Sequence, residues 1–253
     1  MNNILSMSIV TYNNKNEILN LLKPISDFPD LDIYVIDNHS MDGTAECVKN
    51  QFPNVRLLLN KENIGFGAAH NQIINSLKSQ YHIFVNPDIY IKPNTLDEVI
   101  AFMSNHKDIA AMSPKVLNFN GTEQFLPKRS PTIRYMVGGR LERISPLLSA
   151  WRDDYTLKNQ NVSDCIDIDF CTGCFLVART NYITQLNGFD ERYFLYFEDA
   201  DLSKRLQDFG RTVYNPQIEV LHEWKRESSK SHKMFMISLK SMIQYFNKWG
   251  WKL

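Results

Sequence analysis

The first hundred residues of the chain alternate short apolar runs with segments whose apolar side chains recur three and four positions apart. The runs predict strands at residues 8–12, 33–36, 55–59 and 83–85, and the spacing between them is typical of amphipathic helices. Strands that alternate with helices join through right-handed crossovers and pair in parallel. The sequence therefore predicts an α/β fold, with a Rossmann-like, mostly parallel sheet flanked by helices.

The length and charge of the chain narrow the class of protein. Its 253 residues can bury a sizeable core in one large domain or two small ones. The 28 basic residues equal the 28 acidic ones, which argues against a nucleic-acid-binding protein. We find no signal-peptide pattern and no apolar stretch of membrane-spanning length, so a cytoplasmic location is expected.

Polar or small residues follow each predicted strand. They are Thr11, Tyr12 and Asn13 after the first strand, Asp37 and Asn38 after the second, residues 60–66 after the third, and Asn86, Pro87 and Asp88 after the fourth. Ligands of parallel sheets bind beyond the carboxyl ends of the strands, which meet at one edge. Every strand must end in a polar loop, yet four ends rich in Asn and Asp favour a shared binding site.

The segment GFDERYFLYFEDADLSKR, residues 188–205, places Glu198 and Asp199 behind an aromatic run and at the start of a predicted helix. Desolvation by the aromatic side chains of residues 194–197 would raise the pKa of a carboxyl group, and a neighbouring carboxylate would raise it further. A carboxyl group of raised pKa is suited to act as a general base. Acidic residues also favour the first turn of any helix, so this segment alone leaves both catalysis and helix capping open.

Three further patterns carry less weight. Cys171 and Cys174 form a C-x-x-C, but no second cysteine pair or His pair completes a metal site, which favours small buried side chains. Residues 65–70 begin like G-x-G-x-x-G but lack the third glycine, so dinucleotide binding is weakly supported, and no P-loop motif is present.

Asp88 and His222 each end a predicted strand. A carboxylate at Asp88 would suit Mg²⁺ or Mn²⁺ bridging two phosphates, whereas Asn-Pro-Asp is also a common turn and a lone His is often structural.

These segments together resemble family 2 glycosyltransferases of the GT-A fold, in particular the rhamnosyltransferase-like branch. The matching segments are SIVTYNN, VIDNHSMDGT, NKENIGFGAAHNQII, FVNPDIYI, DFCTGCFLVAR and GFDERYFLYFEDADLSKRL, followed by His222. Their order and spacing are specific and span nearly the whole chain. The resemblance implies one GT-A domain over residues 1–225, with a nucleotide-sugar-binding half at 1–117 and an acceptor and catalytic-base half at 118–225, followed by an amphipathic helical tail at 226–253.

The resemblance also implies a role for each candidate residue. Asp199 corresponds to the catalytic base, and Glu198 would orient the acceptor or tune its neighbour. Asp88 and His222 would bind Mg²⁺ or Mn²⁺, with Asn86 standing where the family's D-x-D motif begins. The remaining contacts implied are Thr11, Tyr12, Asp37, Asn63, Gly65, Phe66, Asn86 and Asp88 for the nucleotide sugar, and Gly173 for the acceptor.

The activity implied is an inverting, metal-dependent transfer of one sugar, L-rhamnose from dTDP-rhamnose, to a saccharide acceptor that is lipid-linked, in bacterial cell-surface polysaccharide synthesis. No Q-x-x-R-W motif follows His222, which favours single addition over processive synthesis. A family member with another donor such as a UDP-sugar and a non-catalytic sugar-nucleotide-binding module are alternatives. A nucleotide-dependent oxidoreductase is disfavoured by the incomplete glycine motif.

Two parts of the second half are less regular. Residues 118–164 are predicted to be a long irregular excursion from the sheet, rich in Arg and Pro. The tail from residue 228 carries lysines, aromatic residues and no acid, a composition that suits peripheral contact with an anionic membrane. The same pattern also suits a helix that packs back onto the domain through Met234, Ile237, Met242 and Tyr245, and the two interpretations are compatible.

Overall fold

A computed structural model describes residues 3–92, 94–160, 162–223 and 231–253. The strands are β1 (Leu5–Thr11), β2 (Leu31–Asp37), β3 (Arg56–Leu59), β4 (Tyr81–Val85), β5 (Ile89–Ile91), β6 (Ile109–Leu117), β7 (Ile166–Asp167), β8 (Phe175–Arg179) and β9 (Arg211–His222). The helices are α1 (Lys15–Leu22), α2 (Thr44–Gln51), α3 (Phe66–Ile74), α4 (Thr95–Asn105), α5 (Ile133–Leu141), α6 (Pro146–Tyr155), α7 (Thr180–Gln185), α8 (Glu198–Leu206) and α9 (His232–Trp249).

One sheet organises the molecule, in the order β3-β2-β1-β4-β8-β6-β9-β5, with β7 paired to β9. The first four strands are parallel, as the alternating pattern predicts. Strand β8 runs antiparallel to both β4 and β6, and β5 and β7 run antiparallel to β9. The prediction of a mostly parallel sheet therefore holds for β1 to β4, whereas the whole sheet is mixed, because apolar periodicity reveals a strand but not its direction.

The predicted irregular excursion is wrong in part, because residues 118–164 contain the helical hairpin α5–α6. Each helix begins at a side-chain cap: Thr132 accepts a hydrogen bond from the amide of Tyr135, and Ser145 accepts one from Leu148. Pro146 occupies the first turn of α6. These cap residues were the available signals for helix starts, since α5 has little apolar periodicity of its own. The strand that ends at His222 is β9, a long strand whose pairing with β6 shifts in register.

The core forms three clusters of buried side chains. Two of them take apolar side chains from the sheet strands and from the helices packed on them. Cys171 and Cys174 are buried there, as predicted, and burial raises the pKa of Cys171 to about 12 and that of Cys174 to about 11. The third cluster joins α5 and α6 to α8 and α9, and its buried members are Tyr135, Tyr155, Phe170, Tyr193, Ala200, Tyr245 and Phe246.

Candidate active site

Two buried polar side chains end the first two strands. Thr11 and Asp37 are opposite each other in the parallel register of β1 and β2. Asp37 Oδ1 accepts a hydrogen bond from the amide of Ser40 at 2.7 Å, but Asp37 Oδ2 and Thr11 Oγ1 are buried without partners. A buried polar atom without a partner costs about 1–3 kcal/mol, so these two atoms mark a place for a polar ligand. Tyr12 follows at the same edge with its side chain about half exposed.

A network of asparagines braces the loop after β3 against the second strand end. Asn38 accepts a hydrogen bond from Asn60 at 2.8 Å and donates to the carbonyl of Gly65 at 3.1 Å. Asn63 Oδ1 accepts from the amide of Gly65 at 3.0 Å. Of these residues, sequence reasoning singled out Asn63 and Gly65 as site residues. The network holds the start of α3 beside the edge of the sheet formed by Thr11 and Asp37, which is called the donor edge below.

Gly65 has a positive φ of 91°, and a side chain there would meet the carbonyl oxygen of Phe194 at 2.4 Å. The amide of Phe66 donates to that same carbonyl at 2.9 Å. The glycine is therefore required by a close approach of two backbones rather than by dinucleotide binding. This approach joins the loop after β3 to the segment that precedes Glu198.

Gly173 lies between the aromatic ring of Phe66 and the side chain of Asp199. A Cβ added at Gly173 would lie 3.3 Å from the Phe66 ring and 3.5 Å from Asp199 Cβ. The amide of Gly173 donates to Asp199 Oδ2 at 3.0 Å, and the amide of Ala200 donates to Asp199 Oδ1 at 2.9 Å. Two backbone donors thus hold the Asp199 carboxylate, and glycine at 173 lets the Phe66 ring and the Asp199 side chain approach the backbone closely.

Glu198 differs from its neighbour in environment. Its side chain is only 4% exposed and its Oε2 atom has no hydrogen-bond partner. Burial, and next the charge of Asp199, raise the pKa of Glu198 well above its ordinary value. The desolvation expected for the pair therefore acts on Glu198, where burial favours the neutral form of the carboxyl group, whereas the side chain of Asp199 is half-buried.

Asp88 and His222 face each other across the pairing of β5 with β9. Asp88 Oδ1 and His222 Nε2 are 3.3 Å apart, and Asp88 Oδ1 has no hydrogen-bond partner. His222 Nδ1 lies 2.9 Å from Gln124 Oε1, whose amide nitrogen donates to the carbonyl of His222 and to Asn118 Oδ1. Because an amide oxygen only accepts, Nδ1 donates, and Nε2 is the ring nitrogen that faces Asp88.

An imidazole nitrogen that faces a carboxylate oxygen is suited to share a cation. Gln124 holds the position of the hydrogen-bond partner that commonly orients a metal-binding histidine, and sequence reasoning missed it. In the described ranges of the chain, no group of three or more His, Cys, Asp or Glu side chains converges on one point. Asp88 and His222 would therefore supply two ligands, and donor phosphates and water the others, which is the mode that Mg²⁺ prefers.

The Asp88–His222 pair and Asp199 lie in neighbouring parts of the fold. The amide of Asn86 donates to the carbonyl of Cys174 at 3.0 Å, which places the Asn-Pro-Asp turn next to Gly173. The pKa of Cys174, raised mainly by burial, is raised further by the charges of both Asp88 and Asp199. The turn that carries Asp88 therefore lies beside the segment whose Gly173 amide holds the Asp199 carboxylate.

The turn before α8 is strained and is held from the C-terminal helix. Tyr196 and Phe197 both have positive φ values, 71° and 68°, which cost about 1–3 kcal/mol each in non-glycine residues. The ring of Phe197 packs 5.4 Å from that of Tyr245, and Ser241 Oγ donates to the carbonyl of Leu195 at 2.8 Å. Contacts from α9 therefore stabilise the turn that presents Asp199.

Asp201 connects α8 to α9. Its carboxylate is fully buried and accepts from Arg205, four residues later in α8, at 2.8 Å. Trp249 Nε1 donates to the same carboxylate at 2.8 Å, and Lys248 Nζ lies 2.6 Å from it. The interpretation of the tail as a helix packed onto the domain is confirmed for residues 232–249, and Tyr245 is buried. Residues 226–230 of the predicted tail lie outside the described residues.

Lys128 is a further charged group near Asp199 that sequence reasoning did not select. Its ammonium lies over the ring of Phe170 at 4.6 Å from the centroid. Burial lowers the pKa of Lys128 to about 8, and the charge of Asp199 opposes that shift. Burial, and next the charge of Asp199, also raise the pKa of Tyr155, at the end of α6. The hairpin α5–α6 therefore reaches the surroundings of the proposed base.

Comparison with known proteins identifies the family. The family model described as glycosyl transferase family 2 matches residues 6–186, which is more than half of the chain. This chain belongs to glycosyl transferase family 2. It is therefore a glycosyltransferase, and its mixed sheet flanked by helices is of the GT-A type.

Two relatives of this glycosyltransferase are named rhamnosyltransferases. An N-acetylglucosaminyl-diphospho-decaprenol L-rhamnosyltransferase of Mycobacterium tuberculosis is 29% identical over 238 residues, which cover 88% of this chain and 76% of the relative. The rhamnosyltransferase WbbL of Escherichia coli is 27% identical over 196 residues, covering 72% of this chain and 69% of WbbL. The chain thus resembles the rhamnosyltransferase-like branch of the family.

Solved structures show the fold. A mannosyltransferase from Pyrobaculum calidifontis, in complex with GDP-Man and Mn²⁺, has a TM-score of 0.63 at 15% identity, covering 97% of this chain and 63% of that chain. Residues 1–349 of S. aureus TarS, in complex with UDP-GlcNAc, have a TM-score of 0.60 at 18% identity, covering 96% of this chain and 66% of that chain. This chain therefore spans less than two thirds of either solved chain.

Proposed function

We propose that this glycosyltransferase transfers one L-rhamnose from dTDP-rhamnose to a lipid-linked saccharide in bacterial cell-surface polysaccharide synthesis. The names of the two relatives support the sugar, and the decaprenol-linked acceptor in one of those names supports the acceptor class. The observation that carries the proposal is the single site that joins the unpartnered donor-edge atoms, the Asp88–His222 pair and the Asp199 carboxylate. A non-catalytic binding module would have no need of the last of these.

At the donor edge, Thr11 Oγ1 and Asp37 Oδ2 would bind the nucleoside, because both are buried polar atoms without partners. Tyr12 adds a half-exposed aromatic surface beside them. Asn63, Gly65 and the ring of Phe66 would close over the nucleotide and sugar. Their positions are already set by the asparagine network and by the backbone contact with Phe194.

Asp88 and His222 would hold Mg²⁺ or Mn²⁺, with Asn86 beside them in the same turn. When bound, the cation supplies positive charge that stabilises the diphosphate leaving group. Gln124 accepts from His222 Nδ1 and so orients the ring with Nε2 toward Asp88. The residues present fit such an ion because one imidazole nitrogen faces one carboxylate oxygen that has no hydrogen-bond partner.

Asp199 would act as the general base. The acceptor hydroxyl forms a bond to the anomeric carbon of the donor while the bond from that carbon to the diphosphate breaks on the opposite face. The hydroxyl proton moves to the Asp199 carboxylate, and the anomeric configuration is inverted. Burial raises the pKa of Glu198, so we propose that Glu198 tunes its neighbour while Asp199 carries the charge. Gly173 would contact the acceptor, and its amide already holds the Asp199 carboxylate.

A thermal-shift panel tests the donor. Ligand that binds only the native state raises its apparent stability by mass action, so dTDP-rhamnose with Mn²⁺ should raise the Tm more than UDP-sugars or GDP-sugars do. EDTA should abolish most of the shift. A larger shift with a UDP-sugar would replace the proposed donor while leaving the enzyme class unchanged, and a shift with NAD alone would contradict both.

None of the helices in the described part of the chain has both the length and the apolar character needed to cross a bilayer. The cytoplasmic location and the membrane contact of the tail stay predictions.

A further inference from the structure

The tip of the α5–α6 hairpin, residues 137–147, exposes large apolar side chains to solvent. Ile144 and Leu147 are 71% and 60% exposed, and Val137 and Leu141 lie one helical turn apart with more than a third of their surface exposed. Scattered exposed apolar residues are ordinary, whereas four within eleven residues form a patch that indicates a binding surface.

The exposed apolar side chains of the tip are not needed to hold the two helices of the hairpin together. The two helices approach closely at Gly138, where an added Cβ would lie 2.8 Å from the side chain of Trp151 and 3.0 Å from the carbonyl of Leu148. Buried Tyr135 and Tyr155 stack with their ring centroids 5.1 Å apart, at the opposite end of the hairpin from its tip. The apolar side chains of the tip therefore contribute little to this packing, and their exposure has another explanation.

The charges around the tip are mainly positive. Arg140 and Arg143 are exposed within it, and the one acid there, Glu142, is half-buried and lies 3.9 Å from Arg152. The guanidinium of Arg140 stacks 3.9 Å from the ring centroid of Phe235 on α9. The exposed face of α9 adds Lys233 and Lys240. Apolar side chains surrounded by cations are complementary to the anionic surface of a phospholipid bilayer.

We propose that the hairpin tip docks this glycosyltransferase on an anionic bilayer, with the apolar side chains inserted and the cations at the lipid phosphates. This assigns the main membrane contact to the hairpin rather than to the tail alone, and it rests on the proposed function, because a lipid-linked acceptor is presented at such a surface. The opposite end of the hairpin joins the cluster that contains Ala200, so the hairpin connects the docked tip to the helix that carries Asp199.

Flotation of the full chain with vesicles tests the proposal. We expect binding to vesicles that contain phosphatidylglycerol and much weaker binding to phosphatidylcholine alone, with a decrease at high salt. The variant Ile144→Ser/Leu147→Ser should bind at least about tenfold more weakly, and Arg143→Gln about fivefold more weakly. The matched control is Leu59→Ser/Phe119→Ser, because Leu59 and Phe119 are 66% and 63% exposed elsewhere on the surface. It should bind as the wild type does.

Equal vesicle binding by the tip variant and the wild type would overturn the proposal, as would a wild type that binds neither vesicle. Sedimentation velocity tests the alternative that the tip binds a second copy of the chain. A dimer that forms in the wild type but not in the tip variant, without vesicle binding, would support that alternative and overturn the proposal. The same samples are tested for a Tm shift with dTDP-rhamnose and Mn²⁺. Vesicle binding without that shift contradicts the proposed donor, whereas the shift without vesicle binding contradicts only the docking surface.

Discussion

The donor edge and the catalytic turn are held by different kinds of interaction. At the donor edge, the parallel register of β1 and β2 places Thr11 opposite Asp37 and leaves their buried atoms unpartnered. On the catalytic side, Asp199 follows two residues of positive φ and depends on packing and hydrogen bonds from α9. Regular strand pairing is robust, whereas a strained turn persists only while distant side chains hold it. Substitutions should therefore separate donor binding from transfer.

The largest difference between the effect on transfer and the effect on donor binding is expected at Asp199, the proposed base. Asp199→Asn should lower kcat by about 10²- to 10⁴-fold, because the amide cannot accept the acceptor proton. The Kd for donor, measured by calorimetry, should stay at the wild-type value. Asp164→Asn, at an exposed carboxylate remote from the site, serves as the control. A rate equal to wild type, or a parallel loss of donor affinity, would remove Asp199 from this role.

Substitutions at the Asp88–His222 pair should instead weaken the binding of the nucleotide. Asp88→Asn is expected to weaken Mn²⁺-dependent nucleotide binding by at least about 100-fold, and Gln124→Leu by about tenfold, because Gln124 only orients His222. Calorimetric titrations with Mn²⁺ and with EDTA measure both effects. In EDTA the variants and the wild type should bind nucleotide alike. Unchanged affinity of Asp88→Asn in Mn²⁺ would refute the assignment of the pair as ligands.

The contribution of α9 can be tested with two tryptophans. Trp249→Phe removes the indole hydrogen bond to buried Asp201 and should lower the free energy of unfolding by about 1.5 kcal/mol. It should also lower kcat with little change in donor Kd, because the turn that presents Asp199 is loosened. Trp251→Phe removes a comparable bond to Asn247 at the surface and should be nearly neutral. Equal effects of the two substitutions would show that α9 does not position the turn.

The smallest effect is expected from the pH dependence of stability. Because the native pKa of Glu198 is raised above its ordinary value of 4.5, the native state holds a proton that the unfolded chain has lost. Its contribution to stability is complete below pH 4.5 and is lost as the pH rises toward the native pKa, at about 1.4 kcal/mol per pH unit. Glu198→Gln keeps the neutral form, so its stability should depend less on pH. Identical pH profiles in urea denaturation would contradict a protonated Glu198.

Local pattern was sufficient to predict the strands of the first half of the chain. Strands β1 to β4 follow from apolar periodicity. Thr11 and Asp37 lie opposite each other at the ends of β1 and β2, as the rule for parallel strand ends implies.

What depends on distant contacts could not be predicted. Gln124 is defined by a hydrogen bond to a histidine 98 residues away, and Trp249 by one to an aspartate 48 residues away. The direction of β8 and the surroundings of Lys128 depend likewise on tertiary packing. The hairpin α5–α6 was missed although its caps were visible, because it lacks a continuous apolar stripe.

The proposed transfer is a single displacement at the anomeric carbon of the donor sugar, with Asp199 as the base. Real-time NMR of transfer from dTDP-rhamnose, observing the anomeric signals of donor and first-formed product, tests it most directly. The account predicts a product whose anomeric configuration is the inverse of that of the donor. A product that retains the donor configuration would require two displacements and would contradict the account.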